Sequence, residues 1–367
     1  MELPAMRSLY FVALDKNDMS VKRMQSFLTL QPGELTGCVG CHESRAMTAP
    51  TTVSMSALDH RPRRITPIDD VPNVFDYPRD IQPILDKHCV GCHDSAENES
   101  GVDLGGDRTP NYSISYLTLF QRGMVSDGRN LPYSNREPRS IGSSASRLME
   151  FIDGRHYDVK LSELERKTIR LWIDASATYP GTYAALGAGM VRVRFPIRML
   201  VERCGGCHVT NPRQRSRSKP LLDFETTCNL SRPARSKLLR APLAKSAGGL
   251  GKCGEDVFAD TDDPCYRGIL RALEAAGERL KEEKRFDMPG FRPDVAYVRE
   301  MKRFGILPAD VKPDDPIDVY QTDRDYWRSF WYVPEPTETE PATGPEPSDP
   351  RDFPPFDPRN PFRRRGM

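Results

Sequence analysis

The chain of 367 residues is long enough for two or three domains with sizeable cores. Its 53 basic and 52 acidic residues give a net charge of +1, so the charge gives no support for nucleic-acid binding. The 33 prolines and a mean hydropathy of -0.59 argue against a long regular helical bundle and favour a loop-rich protein.

Two short strands are predicted at the start of the chain, over residues 7–14 and 26–30, with polar turn residues between them. A lone hairpin is only marginally stable in water. We therefore interpret residues 1–31 as the end of an upstream β domain. No apolar run reaches transmembrane length, and no secretion signal is visible, so we expect the export signal to lie upstream as well.

The pattern Cys-x-x-Cys-His occurs three times and contains six of the nine cysteines and three of the six histidines. It is the covalent attachment signal for c-type haem. Two cysteines at this spacing lie on one face of a helical turn, where both can form thioethers to one porphyrin, and the next residue is aimed at the iron. The sequence therefore predicts three covalent haems c, with proximal histidines, at Cys38, Cys41 and His42, at Cys89, Cys92 and His93, and at Cys204, Cys207 and His208.

Two other interpretations of the motifs are a zinc site and a thioredoxin-like redox pair. Zinc favours two cysteine pairs or cysteines with spaced histidines, and a redox pair needs a βαβ context that this sequence lacks.

Residues 32–79 form the first predicted haem segment, which contains few apolar residues and is at the lower size limit for independent folding. We expect this haem to lie against neighbouring structure. Its sixth ligand is open among His60, Met47 and Met55, each of which is also explained as a surface or packing residue, and a vacant sixth position is equally compatible with the sequence.

Residues 80–185 form the second predicted haem unit. Asp80 is a predicted N-cap of a helix that leads into the motif, and a closing helix over residues 161–174 carries the capping box Ser162 and Glu165. Its apolar stripe is predicted at Leu161, Leu164, Thr168, Leu171 and Trp172.

This order is similar to that of a small single-haem cytochrome c domain, in which a methionine before the last helix is the sixth ligand. His156 occupies that place here and is the predicted distal ligand, although it is also explained as an exposed loop residue. His88 adjoins Cys89, so it cannot readily reach its own haem but could serve another.

Residues 195–332 repeat the plan as a third haem unit. Met288 precedes a predicted closing helix that ends at Gly305, and Met288 is the predicted sixth ligand, with core packing as the alternative. In an oxidising compartment two of the three remaining cysteines, Cys228, Cys253 and Cys265, would pair, and the third would be free or buried. Cys253 with Cys265 closes the shorter loop, but the sequence does not determine which two pair. Residues 333–367 have too little apolar content to fold.

The predicted fold is therefore mainly α with much irregular loop, with cytochrome c-like haem domains in tandem and a short β hairpin at the N-terminus. Phrases beyond the haem motifs, over residues 32–43, 80–93 and 154–162, resemble proteins related to the alpha subunit of hydrazine synthase. The resemblance covers about residues 1–185.

That family implies a propeller domain, then a middle domain with a catalytic haem whose sixth position is not a histidine, and a relay haem with two histidine ligands. Carried over, the His42 haem is the reactive one, and the haem of His93 and His156 is the relay. This chain departs from the family because it lacks the propeller and adds the third haem unit.

Three functions follow as expectations. The first is an extracytoplasmic, periplasmic electron-transfer cytochrome that works with redox partner proteins and is part of a longer chain or complex. The second is a haem enzyme that acts on small nitrogen compounds at the His42 haem. The third is a structural or sensing module of a larger protein. Shared scaffold does not establish shared chemistry, so hydrazine synthesis is not predicted.

Overall fold

The structure, a computed structural model, describes residues 1–36, 46, 62–63, 65–66, 68, 70–94, 101–129, 131, 135–185, 190–208, 223–253, 257–312 and 315–329. The chain divides into two compact units, one of residues 1–8, 29–67 and 329–367 and the other of residues 9–28 and 68–328. Most of the first predicted haem segment and the predicted unfolded tail, 333–367, lie outside the described residues.

The described residues at the N-terminus form four short strands, and the two predicted strand segments, 7–14 and 26–30, pair through the first and the last of them. They are β1 (Ser8–Leu9), β2 (Val12–Leu14), β3 (Ser20–Arg23) and β4 (Leu28–Thr29). β2 pairs with β3 in an antiparallel register, and β1 pairs with β4.

The β2–β3 hairpin is attached to the second predicted haem segment. The Ser20 amide donates to Ser143 Oγ (3.0 Å), and the Tyr10 hydroxyl donates to the Asp174 carbonyl (2.9 Å). Residues 9–28 thus belong to the same compact unit as residues 68–328, whatever lies upstream of the chain.

Ten α-helices are formed within the described ranges. They are α1 (Gln82–His88), α2 (Ile114–Gln121), α3 (Leu148–Phe151), α4 (Glu163–Asp174), α5 (Ile197–Cys204), α6 (Phe224–Thr227), α7 (Lys237–Arg240), α8 (Pro264–Glu283), α9 (Val295–Arg303) and α10 (Val319–Ser329). None of the described helices is both long and apolar enough to cross a membrane.

The helix that leads into the second motif begins earlier than predicted. One π-helical turn, Tyr77–Ile81, precedes α1, so Asp80 lies inside the helix and is not its N-cap. Asp76 holds the cap position, and Pro78 falls in the first turn, where its missing N–H costs nothing. Ile84 and Leu85 are buried and fix α1 on the core.

The capping box of α4 is confirmed. Ser162 Oγ accepts from the Glu165 amide (3.2 Å), and Glu165 Oε2 accepts from the Ser162 amide (2.8 Å). The predicted apolar stripe is rotated, because Leu164 is 47% exposed while Ile169 and Ile173 are fully buried. The sequence of α4 has apolar residues on both sides of the predicted stripe, and packing against the core decides which side is buried.

Two buried cores form within residues 68–328. The first contains residues from the range 77–185 together with Phe286, and aromatic rings dominate it: Tyr77 lies 5.0 Å from Tyr116 and 5.3 Å from Trp172, measured between ring centres. The second core contains residues from the range 191–280, including Leu200 of α5 and Ile269 of α8. Residues 80–185 and residues 195–328, nearly all of the two predicted units, therefore have their own cores but lie in one compact unit.

Candidate functional site

The second motif forms a tight turn at the end of α1. The Cys92 amide donates to the Cys89 carbonyl (3.1 Å), and the His93 amide donates to the same carbonyl (3.0 Å). Cys89 is half-buried and packs against the first core, whereas Cys92 is exposed. The backbone between the two cysteines is thus one tight turn that closes on the Cys89 carbonyl.

His156 lies directly opposite His93. The two imidazole ring centres are 6.2 Å apart, and the ring planes differ by 16°. Both side chains are half-buried. The structure thus brings together two residues that the sequence analysis paired only by their places in the chain.

The loop between α3 and α4 sets the position of His156. The Val159 amide donates to the His156 carbonyl (3.0 Å), and Tyr157 and Asp158 both adopt the left-handed backbone conformation (φ 47° and 57°). The Phe151 ring packs edge-on against His156 at 5.0 Å. The loop is therefore a closed turn that packs on α3 through Phe151 and holds the His156 imidazole over the second motif.

The spacing of His93 and His156 fits an iron bound between them. A metal–imidazole bond is about 2 Å long and the bound nitrogen lies about 1 Å from its ring centre, so two imidazoles on opposite sides of one metal have ring centres about 6 Å apart. The observed 6.2 Å matches this requirement.

His88 has a different partner. Its Nε2 lies 3.2 Å from both carboxylate oxygens of Glu165, and Lys87 Nζ lies 2.8 Å from Glu165 Oε1. The hydrogen bond from Lys87, together with those from Ser162 and His88, lowers the pKa of the Glu165 carboxyl to about 2. His88 therefore connects α1 to α4 through Glu165.

The third motif repeats the turn of the second. The Cys207 amide (3.1 Å) and the His208 amide (2.7 Å) both donate to the Cys204 carbonyl at the end of α5. Arg203 Nη2 contacts Asp263 Oδ2 (2.8 Å), which ties this turn to the start of α8. In the described part of the chain, His208 Nδ1 is buried and has no hydrogen-bond partner.

Met288 packs against the second core, which Cys204 also contacts. It lies between two tight turns, because its amide donates to the Arg285 carbonyl (2.9 Å) and its carbonyl accepts from the Phe291 amide (3.1 Å). Pro289 and Gly290, with φ of 77° at Gly290, are the residue pair that a type II turn requires. The backbone around Met288 is thus set by sequence-encoded turns.

The remaining cysteines are not paired in the structure. Cys228 and Cys265 are buried, and Cys253 is exposed. Cys253 and Cys265, which would close the shorter loop, are both free, and Cys265 lies in the second core at the start of α8. Burial raises the pKa of the Cys204 thiol, and the nearby thiol of Cys253 adds to this effect.

The residues predicted around the first motif, namely Cys38, Cys41, His42, Met47, Met55 and His60, lie outside the described residues. Within the described ranges no three His, Cys, Asp or Glu side chains converge as a metal-binding group.

Sequence reasoning missed three charged residues beside Met288. Arg285 and Asp287 are almost fully buried, and Arg108, from the loop after the second motif, reaches the same place. The available signal was the alternation of charged and apolar residues in Arg285-Phe-Asp-Met-Pro, but their partner segment is far away in the sequence.

Comparison with known proteins gives one partial match. Residues 1–43 match the hydrazine synthase alpha subunit middle domain. The match includes the first motif and ends just after it. It supports the resemblance over a much shorter range than residues 1–185. No curated protein and no solved structure matched the chain.

Proposed function

We propose that this chain is a c-type cytochrome with three covalent haems that transfers electrons between redox partner proteins outside the cytoplasm. The three Cys-x-x-Cys-His motifs support it, and the observation that carries it is the 6.2 Å approach of His93 and His156. One iron held by both imidazoles would account for this separation, because a metal–imidazole bond is about 2 Å long.

Each haem would supply one-electron redox chemistry, and the chain's own residues would hold and tune it. Cys89 and Cys92 would tether the second haem, with His93 and His156 on its two faces. Cys204 and Cys207 would tether the third, and His208 and Met288 would hold its iron. A thioether ligand favours reduced iron more than imidazole does, so Met288 would give the third haem the higher reduction potential.

Mass spectrometry of the protein from a host that attaches haem c tests the cofactor count. We expect the chain to gain the mass of three haems, and acid–acetone extraction should leave the colour with the protein. Fewer than three covalent haems in the fully loaded protein contradicts the proposal.

Single substitutions test the ligands of the second haem. His156→Ala should convert one of the low-spin haems to a high-spin form that binds cyanide, because one axial position becomes vacant. His88→Ala is the matched control, since His88 is beside the same motif but contacts Glu165. An unchanged spectrum in His156→Ala, or an equal change in His88→Ala, removes His156 from the site.

A haem redox enzyme that acts on small nitrogen compounds at the His42 haem is the second candidate. The family match over residues 1–43 favours it, since that range contains Cys38, Cys41 and His42. Its sixth position would be vacant, or occupied by His60, Met47 or Met55. A parent protein with one high-spin haem that binds nitric oxide favours the enzyme, and three saturated low-spin haems favour the carrier.

A further inference from the structure

The segment Arg285–Phe291 belongs to both cores of the compact unit. Phe286 is a member of the first core, and Phe291 packs against it. Met288, between them, packs against the second core. A chain that alternates between two cores within a few residues has little freedom to shift along either of them.

Arg285 and Asp287 form a buried ion pair on either side of Phe286. Arg285 Nε lies 2.8 Å from Asp287 Oδ1, and Nη2 lies 3.0 Å from Oδ2, so the contact is bidentate. The two side chains are only 1% and 4% exposed. Planar two-point contacts of this kind fix orientation as well as distance.

Arg108 binds the same aspartate from the other segment. Its Nε lies 2.9 Å from Asp287 Oδ2, and its Nη2 donates to the Asp287 carbonyl oxygen (3.0 Å). That carbonyl belongs to the planar peptide group that leads into Met288. The Arg108 guanidinium thus sets the direction in which the chain enters Met288.

The Arg285 side chain then connects this contact to the loop after the second motif. It donates to the carbonyls of Thr109 (3.2 Å) and Tyr112 (3.0 Å) and to the Tyr179 hydroxyl (3.1 Å). In the same loop, the Leu104 amide donates to the His93 carbonyl (2.8 Å). The loop is therefore hydrogen-bonded to the second motif near one end and, through Arg285, to the segment of Met288 near the other end.

We propose that Arg108 and Arg285, acting through Asp287, are positioning residues that hold Met288 as the sixth ligand of the His208 haem. The ligand of the third haem is thereby set by the loop that follows the second haem motif. This inference rests on the proposed function, because it takes Met288 to be the ligand. A buried ion network adds little net stability by itself. The hydrogen bond from Arg108 to the Asp287 carbonyl is what gives this network a positioning role.

Asp287→Asn in the full-length, haem-loaded protein is the main test. We expect the weak red absorption band of iron–thioether ligation to diminish and the potential of that haem to fall. Cyanide should displace the weakened ligand with about 10-fold higher affinity, the size of effect typical when a residue that orients a metal ligand is changed. Arg108→Gln should give the same changes. Because Arg108 is partly exposed, this variant provides the test if Asp287→Asn does not fold.

Asp107→Asn is the matched control. Asp107 lies in the same loop and also binds across to the other segment, with Arg232 Nε and Asn229 Nδ2 each at 2.6 Å, but it does not touch Asp287. Asp107→Asn should leave the red band, the reduction potential and the cyanide affinity unchanged. If Asp107→Asn acts like Asp287→Asn, or if Asp287→Asn changes none of the three, the positioning role is wrong.

The parent protein separates this inference from the function on which it rests. If three haems are attached but the red band is absent, or if the band survives Met288→Ala, then Met288 is not the ligand. The proposed ligand and the proposed positioning role are then both wrong. If the band is present and is lost in Met288→Ala, only the result with Asp287→Asn decides the inference. Met199→Ala, which alters another methionine against the same core, should retain the band.

Discussion

Asp76 is a fully buried carboxyl at the start of the helix that leads into the second motif. Burial raises the pKa of Asp76 to about 6. The hydrogen bond from the Gly181 amide and the charge of Arg79 oppose this shift, and Asp80 and Tyr320 are the other titratable groups beside it. A carboxyl with a raised pKa in the folded state stabilises the fold below its unfolded pKa. That contribution is lost as the pH rises through the folded value.

Stability should therefore fall between about pH 4 and pH 6 by an amount on the order of 3 kcal/mol from this group. Asp76→Asn removes the titration, so its stability relative to the parent should rise over that range, as measured by urea unfolding at several pH values. Asp15→Asn is a control of opposite sign, because the hydrogen bond from Arg139 lowers the pKa of Asp15. A constant difference between Asp76→Asn and the parent contradicts the prediction.

At this scale the sequence predicts some functional residues and misses others for a physical reason. Cysteines and histidines within five consecutive residues are visible because local geometry alone defines the motif. His156 could be suggested from its place before a closing helix. The His88–Glu165 contact joins residues 77 apart and leaves no periodic signal, so only the folded chain reveals it.

At the scale of elements, α4 shows how much a local rule determines. The sequence predicted its capping box, and the structure has both hydrogen bonds of that box. It did not predict which flank of the apolar stripe is buried, since that depends on the shape of the opposing core. Similarly, the prediction placed the start of α1 at Asp80 because a carboxylate is a good cap, but the chain already turns helically at Tyr77.

The capping box allows a quantitative prediction. Ser162→Ala removes the cap acceptor, and Glu165→Gln removes the charge that Lys87 contacts, so each should destabilise the protein by about 1 kcal/mol at pH 7. The double variant should lose less than the sum, because Ser162 Oγ donates directly to Glu165 Oε2 (2.9 Å) and either substitution weakens that shared bond. Denaturant unfolding of the four proteins measures this. Additive losses mean that the two side chains act independently.

The pH dependence of the same pair has a defined sign. The pKa of Glu165 is lowered from 4.5 to about 2, so its stabilising contribution is complete above the unfolded value and is lost as the pH falls toward 2. The difference between Glu165→Gln and the parent should therefore shrink below about pH 4.5. Lys87 and His88 face the carboxylate in the folded state.

At the scale of the whole molecule, two cores that the sequence predicts as separate units are joined by buried polar contacts. Arg108, Arg285 and Asp287 provide the central contacts, and Asp107 with Arg232 and Thr109 with Glu225 lie around them. Periodicity identifies helices and their apolar faces, but it carries no information about which loop a buried arginine reaches. The division into two cores was thus predictable, and the contacts that join them were not.

This attachment predicts that the two cores unfold together. Arg285→Ala leaves Asp287 buried without its main partner, which should cost about 3–5 kcal/mol. Hydrogen exchange with mass spectrometry on the full-length protein should show equal losses of protection in α8 of the second core and in α4 of the first, although Arg285 touches neither helix through its side chain.

Ile269→Val supplies the matched perturbation, since Ile269 is fully buried in the second core and is an apolar residue that forms no part of the ion network. It should lower stability by about 1 kcal/mol, and α4 should again register the same loss as α8 if the cores are cooperative. Loss confined to α8 in both variants means that the segments open independently. In that case the buried arginine orders the loop around Met288 without coupling the folding of the two cores.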